Sequence, residues 1–166
     1  MTAYKFLEPE AVSPFAGFRW PVGEWVEAAS ADVCRRGIHA CRIADLPFWL
    51  GPELWEIELD GDVVVHQRKV VAPRGRLVRR IEDWNDATRS EFGASVLART
   101  RTRFGAVAGL AGFAGDIQRH LASGRVPLAA FAAARAAELG GGPAEYERER
   151  SRQAAWLADR LGLGAA

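Results

Sequence analysis

Lysine is almost missing from this chain: of 22 Lys and Arg residues, only Lys5 and Lys69 are lysines. Alanine is abundant beside that arginine excess. The pairing reflects the coding bias of a GC-rich genome more than a demand for guanidinium groups, so arginine frequency alone carries no functional weight. Cysteine is limited to Cys34 and Cys41, which a reducing cytoplasm keeps as thiols. Net charge is nearly absent at +1, which argues against a broad basic surface for nucleic acid. No stretch reaches the roughly 18 apolar residues that span a bilayer. The longest uncharged run, Phe104 to Gly115, is short and glycine-rich. The opening residues lack the basic-then-apolar order of a secretory leader, so a cytoplasmic location without membrane association is expected. P-loop, G-x-G-x-x-G, G-x-S-x-G and H-E-x-x-H motifs are all missing. What remains, 49% hydrophobic and 26% charged in 166 residues, is the composition of a folded globular chain.

The pattern changes style near Trp84-Asn85-Asp86. Before it, β-branched and aromatic runs bounded by Pro, Gly or Asp predict strands at Tyr4 to Leu7, Glu24 to Ala28, Gly37 to Cys41, Glu53 to Leu59, Asp62 to Val71 and Arg76 to Ile81. Glu53 to Leu59 alternates, with Trp55, Ile57 and Leu59 on one face and Glu56 and Glu58 on the other. Asp60-Gly61-Asp62 reads as a hairpin turn, and Ala44 to Leu50 as a helical turn with Pro47 near its start. Beyond Asp86, an N-cap, four helices are expected: Asp86 toward Arg103, Ala106 to Leu121, Pro127 to the Gly140-Gly141-Gly142 stop, and one from Pro143 onward. Residues 1–86 hold 11 basic and 14 acidic side chains, and residues 87–166 hold 11 and 7. The expected organisation is α+β: a mildly acidic β-rich module over residues 1–86, and a mildly basic helical segment over residues 87–166 packed on it.

Chemistry concentrates in Cys34-Arg35-Arg36-Gly37-Ile38-His39-Ala40-Cys41. In a strand, His39 and Cys41 share one face. With Cys34 and His66 they offer a tetrahedral zinc set, yet C-x4-H-x-C matches no common structural zinc motif. A nucleophilic Cys41 beside His39 and Arg42 is a related reading, and small buried thiols with a backbone-bonded imidazole are the plain one. Five of the six tryptophans, Trp20, Trp25, Trp49, Trp55 and Trp84, fall in the first module. Phe18-Arg19-Trp20-Pro21-Val22-Gly23-Glu24-Trp25 sets two of them on a loop that suits stacking on a planar ligand or on arginine, or simple core packing. The basic run from His66 through Arg80 divides between faces, with Arg76 and Arg80 expected on one side and Arg79 on the other.

The order Tyr4-Lys-Phe-Leu, Phe18-Arg-Trp-Pro-Val-Gly, Arg36-Gly-Ile-His-Ala-Cys, Leu46-Pro-Phe-Trp-Leu and Glu53-Leu-Trp-Glu-Ile-Glu-Leu-Asp-Gly resembles a bacterial family seen chiefly in actinobacteria, and phage-associated modules of unknown function. More distantly, residues 1–84 are similar in layout to the small rifampin ADP-ribosyltransferases. The parallels are Ile38-His39-Ala40, Phe48-Trp49, Leu54 to Leu59, and Val78 to Trp84. The resemblance implies an ADP-ribosyltransferase-like split β-sheet with NAD or a related nucleotide in a cleft beside the Gly37–Cys41 strand. Lys5 would then meet a phosphate, with Arg19 near it, and His39 would contact the nicotinamide side. Trp20, Trp25 or Trp49 would stack, and Glu56 would hold a ribose hydroxyl. The first-strand histidine of those enzymes has no counterpart in Tyr4 to Leu7, and their stacking tyrosine is His39 here. A non-catalytic module that binds a protein partner through its aromatic loop and Ala-rich helices is the competing expectation.

Overall fold

The computed structural model describes residues 1–28 and 37–164. It has a mixed α+β fold in two compact units, Met1–Asn85 and Asp86–Ala166. The first unit is built on β-sheets and the second on four helices.

In the first unit, β1 (Thr2–Leu7), β4 (Glu53–Asp60), β7 (Arg74–Arg80) and β2 (Trp25–Glu27) form an antiparallel sheet in the order β1-β4-β7-β2. A smaller sheet takes β3 (Ile38–Ala40), β6 (Lys69–Ala72) and β5 (Val64–His66) in the order β3-β6-β5. Alternation decides what each strand buries. Ala3, Leu7, Trp55, Ile57, Leu59 and Leu77 leave one face of the larger sheet, and Ile38, Ala40, Val70 and Ala72 leave one face of the smaller. Together with Trp20 and Ala11 they make one core. Gly75 lies inside that core because a Cβ there would stand 2.9 Å from Ile38 Cγ2 and 3.2 Å from Leu59 Cδ2. The other side of β1 and β4 buries Tyr4, Phe6 and Leu54. Phe6 meets Trp84 edge-on at 5.8 Å, and Trp84 donates its indole N–H to the Gly51 carbonyl at 2.8 Å.

Three local expectations are corrected. Asp62 to Val71 is not one strand but the β5–β6 hairpin, turned at Gln67 in the left-handed region (φ 47°) without a glycine. Asp60-Gly61-Asp62 does turn the chain, with Gly61 at φ 84°, but β4 and β5 lie in different sheets and make no hairpin. The helical turn expected before β4 does form, as a 3-10 segment over Ile43–Phe48, with Pro47 near its end rather than its start. The register between β4 and β7 also shifts at Glu56/Ile57, so that Arg79 faces Glu56, Arg76 faces Glu58, and Arg80 turns to the other side. A bulge adds one residue and reverses the alternation beyond it. Arg79 thus shares its face with Arg76, where strict alternation placed Arg80.

The second unit packs α1 (Asp86–Phe104), α2 (Gly112–Ala122), α3 (Val126–Gly141) and α4 (Pro143–Arg160). Helix α2 starts later than expected, since Gly105 to Ala111 form turns. Alanine explains the central place of α3: Ala129, Ala130, Ala133, Ala134, Ala136 and Ala137 are all buried and let the other helices approach closely. Gly93 does the same on α1, where a Cβ would collide with the Leu121 side chain. Gln153 of α4, fully buried, donates to the Ala130 carbonyl at 3.0 Å, and Arg99 of α1 pairs with buried Glu149 at 3.0 Å. No helix among the described residues is long and apolar enough to cross a membrane.

Candidate functional site

The Gly37–Cys41 segment is placed by two neighbours. β6 holds it on one edge. On the other, Tyr4 and Cys41 exchange backbone hydrogen bonds of 2.8 and 2.7 Å, which ties the small sheet to β1. Cross-strand partners share a face. Ile38 and Ala40 enter the core, so His39 and Cys41 lie on the opposite face. Following the registers outward from Cys41, that face carries Lys69 and His66 in one direction, and Tyr4, Glu56 and Arg79 in the other. His39 and Glu56 therefore share a face, with β1 and its Tyr4 between their strands.

The electrostatics of this face follow from burial. Nε2 of His39 is enclosed and makes no hydrogen bond within the described residues, and the same holds for Nδ1 of His66. Burial lowers the His39 pKa, and the nearby charges of Lys69 and Lys5 lower it further. The imidazole is thus neutral at neutral pH, with one donor and one acceptor nitrogen. Burial pushes the Cys41 thiol well above its ordinary range, and Asp45 adds to the effect. Since the thiolate is the reactive form, burial keeps Cys41 in its unreactive thiol state. Asp45 is buried and accepts from Arg42 Nε at 2.7 Å, while Arg68 stands 3.9 Å away over the Phe48 ring. Among the described residues no group of three or more His, Cys, Asp and Glu side chains is placed to hold a metal ion. Cys34 lies outside the described residues.

The other predicted site residues divide between places. Lys5, on the core-facing side of β1, donates to the His39 carbonyl at 2.6 Å with its ammonium 5.3 Å from the Trp20 ring centre. Trp20 is buried and donates to Ser13 Oγ at 2.9 Å. Lys5 and Trp20 are thus brought together, on the other side of the strand from the His39 imidazole. Glu56 is committed to Arg79 at 2.8 Å. Trp25 sits on β2, the edge strand of the larger sheet, against the Arg74 and Arg76 guanidinium groups at 4.4 and 5.0 Å. Trp49 donates to the Arg68 carbonyl at 2.6 Å, and Arg19 pairs with Glu10 in solvent.

Sequence reasoning missed Tyr4 and Lys69 as neighbours of His39, because strand pairing rather than spacing makes them so. It also missed Glu53. That buried carboxylate accepts from the amides of Glu10 and Ala11 (3.1 Å each) and from Trp55 Nε1 (2.9 Å), and pairs with Arg80 at 3.0 Å. It anchors a loop in which Glu10 and Ala11 both take left-handed φ of 67° and 57°.

Residues 1–89 match the model of a family described as a domain of unknown function (DUF7666), and the chain belongs to that family. No curated protein and no solved structure gives a match.

Proposed function

We propose that the first unit is a binding module for a nucleotide, NAD or a close relative, seated beside the Gly37–Cys41 strand in an ADP-ribosyltransferase-like layout. The observation that carries this reading is His39: a neutral imidazole with an enclosed, unbonded Nε2, on a face that also holds Lys69 and Glu56. A donor–acceptor pair of this kind matches a carboxamide such as that of nicotinamide, and an unmade hydrogen bond at an enclosed nitrogen costs about 1–3 kcal/mol that a polar ligand recovers. Lys69 contributes positive potential toward a phosphate. Glu56 is an acid on this face, but its ion pair with Arg79 must open before it holds a ribose hydroxyl. We therefore assign binding, not transfer, to this site.

The test is a thermal-shift titration with NAD on the wild type and on His39→Ala. A ligand at about 100 times its dissociation constant stabilises by about 2.7 kcal/mol, which is several degrees in a unit of this size. A saturable shift that His39→Ala removes supports the reading. Absence of any shift up to millimolar NAD overturns it. A second reading, a protein-binding module, is favoured by Phe15, which is 93% exposed on a loop closed by the Ser13 and Phe18 backbone bond of 2.8 Å. Phe15→Ala leaving every interaction of the chain unchanged would count against that reading.

A further inference from the structure

Lys5 is held in an unusual way for a lysine. Its ammonium reaches two partners, the His39 carbonyl at 2.6 Å and the face of Trp20 at 5.3 Å, and neither carries a charge. Among the described residues no carboxylate lies within ion-pairing distance of it, although the unit around it contains many acids and those near other cations pair with them. The side chain leaves the core-facing side of β1 between Ala3 and Leu7, both almost fully buried, and is itself half-buried. An ammonium placed in apolar surroundings without a counter-ion favours its neutral form.

We propose that Lys5 is a nucleophilic amine that captures small carbonyl compounds, aldehydes or α-keto acids, as an imine. In the step, the amine lone pair attacks the carbonyl carbon. The carbonyl oxygen leaves as water carrying the two amine protons, and a C=N bond joins Lys5 to the ligand. No oxidant or further reactant is needed. This inference is independent of the nucleotide reading, which concerns the opposite side of β3.

Burial lowers the Lys5 pKa to about 8. Trp20 covers the amine, while the titratable groups coupled to it, Cys41, whose thiol stays protonated, and the neutral His39, stand on the opposite face of the strand. At pH 7.5 an amine of pKa about 8 is roughly 24% neutral, against about 0.1% for an ordinary lysine. That is a ~200-fold excess of the attacking form. Partial burial and the weaker basicity of the amine reduce it, and at least a ~10-fold net excess in rate is expected.

The chain's lysine poverty makes the test clean. The whole protein is treated with glyoxylate and cyanoborohydride, which reduces the imine to a stable carboxymethyl amine. Rates at Lys5 and Lys69 are then compared in the same molecules by peptide mass mapping. The expected result is Lys5 modified at least ~10-fold faster than Lys69 in the folded chain, rising with pH to a plateau above 8, with equal rates in urea. Equal or slower modification of Lys5 in the folded chain overturns the proposal. So does an excess that survives unfolding, because the reactivity would then not come from the fold.

Discussion

The buried Lys5 and Cys41 should write opposite signatures into the pH dependence of stability. Lys5 holds a proton up to about pH 8 in the native state and to 10.5 when unfolded. Between those values the unfolded chain binds more protons, so stability rises with pH, by about 1.4 kcal/mol per unit. Cys41 runs the other way. Its thiol ionises near 9.0 when unfolded, while burial keeps it protonated in the native state. Above pH 9 the native chain therefore binds more protons, and stability falls at the same rate. The wild type should gain less than about 1 kcal/mol from pH 8 to 9 and then stay nearly level to pH 10, as the two slopes offset each other. Lys5→Met should be nearly level to pH 9 and lose about 1 kcal/mol by pH 10; Cys41→Ala should climb about 2 kcal/mol from pH 8 to 10. Replacing Lys5 also removes its bond to the His39 carbonyl, an offset of about 1 kcal/mol that does not depend on pH. Urea unfolding followed by tryptophan fluorescence reads the effect, since five of the six tryptophans lie in the first unit. Groups common to all three proteins cancel in the differences. Parallel curves for wild type and Lys5→Met between pH 8 and 9 would refute the reasoning.

Glu53→Gln removes a carboxylate whose burial alone would raise its pKa, but whose bonds from Trp55, Ala11, Glu10 and Arg80 bring it below the ordinary value. A depressed acid contributes stability above its unfolded pKa that is lost on acidification, so the variant should lose about 2 kcal/mol at pH 7 and show a flatter decline below pH 4.5, measured by urea midpoints at several pH values. Gly75→Ala forces a Cβ to 2.9 Å from Ile38 Cγ2 and should cost about 1–3 kcal/mol in the same assay, with native-like circular dichroism retained. Gln153→Leu deprives buried Glu149 of a donor at 3.2 Å and loses the bond to Ala130, so the thermal midpoint of the helical signal should fall by an amount equivalent to about 1–3 kcal/mol. An unchanged midpoint would show that the helices do not depend on this link.

The elements that could be read from sequence are those whose pattern is local. β4 is the clearest: Trp55, Ile57 and Leu59 go into the core and Glu56 and Glu58 to the other face, as a period of two requires. Helices α1, α3 and α4 begin where Asp86, Pro127 and Pro143 signal a first turn. The β5–β6 hairpin was illegible for a physical reason. Its turn is His66-Gln67-Arg68-Lys69, and Gln67 adopts a left-handed φ of 47° that sequence normally announces with Gly or Asn. The bulge opposite Glu56/Ile57 left no mark either. A single extra residue in a run of Arg, Leu and Val looks like any other, yet it decides that Arg79 rather than Arg80 meets Glu56.

The site was legible in part because alternation reveals a residue's face but not its neighbours. Ile38-His39-Ala40 predicts that His39 lies on the face opposite Ile38 and Ala40, and those two are the ones that enter the core. Which groups surround it depends on the Tyr4–Cys41 pairing, formed between segments distant in the chain. That pairing puts Tyr4, Glu56 and Arg79 on the same face as His39, while the same register sends Lys5, one residue from Tyr4, to the other side. Two residues assigned to one ligand in the sequence reading are therefore separated by the thickness of a strand, yet joined through its backbone by the Lys5 bond to the His39 carbonyl. The arrangement leads to a testable coupling. A ligand on the His39 face that shifts β3 must lengthen or shorten that bond, and glyoxylate capture at Lys5 should then change rate when NAD saturates the first site. If NAD binds and the Lys5 rate stays constant, the two faces of the strand act independently.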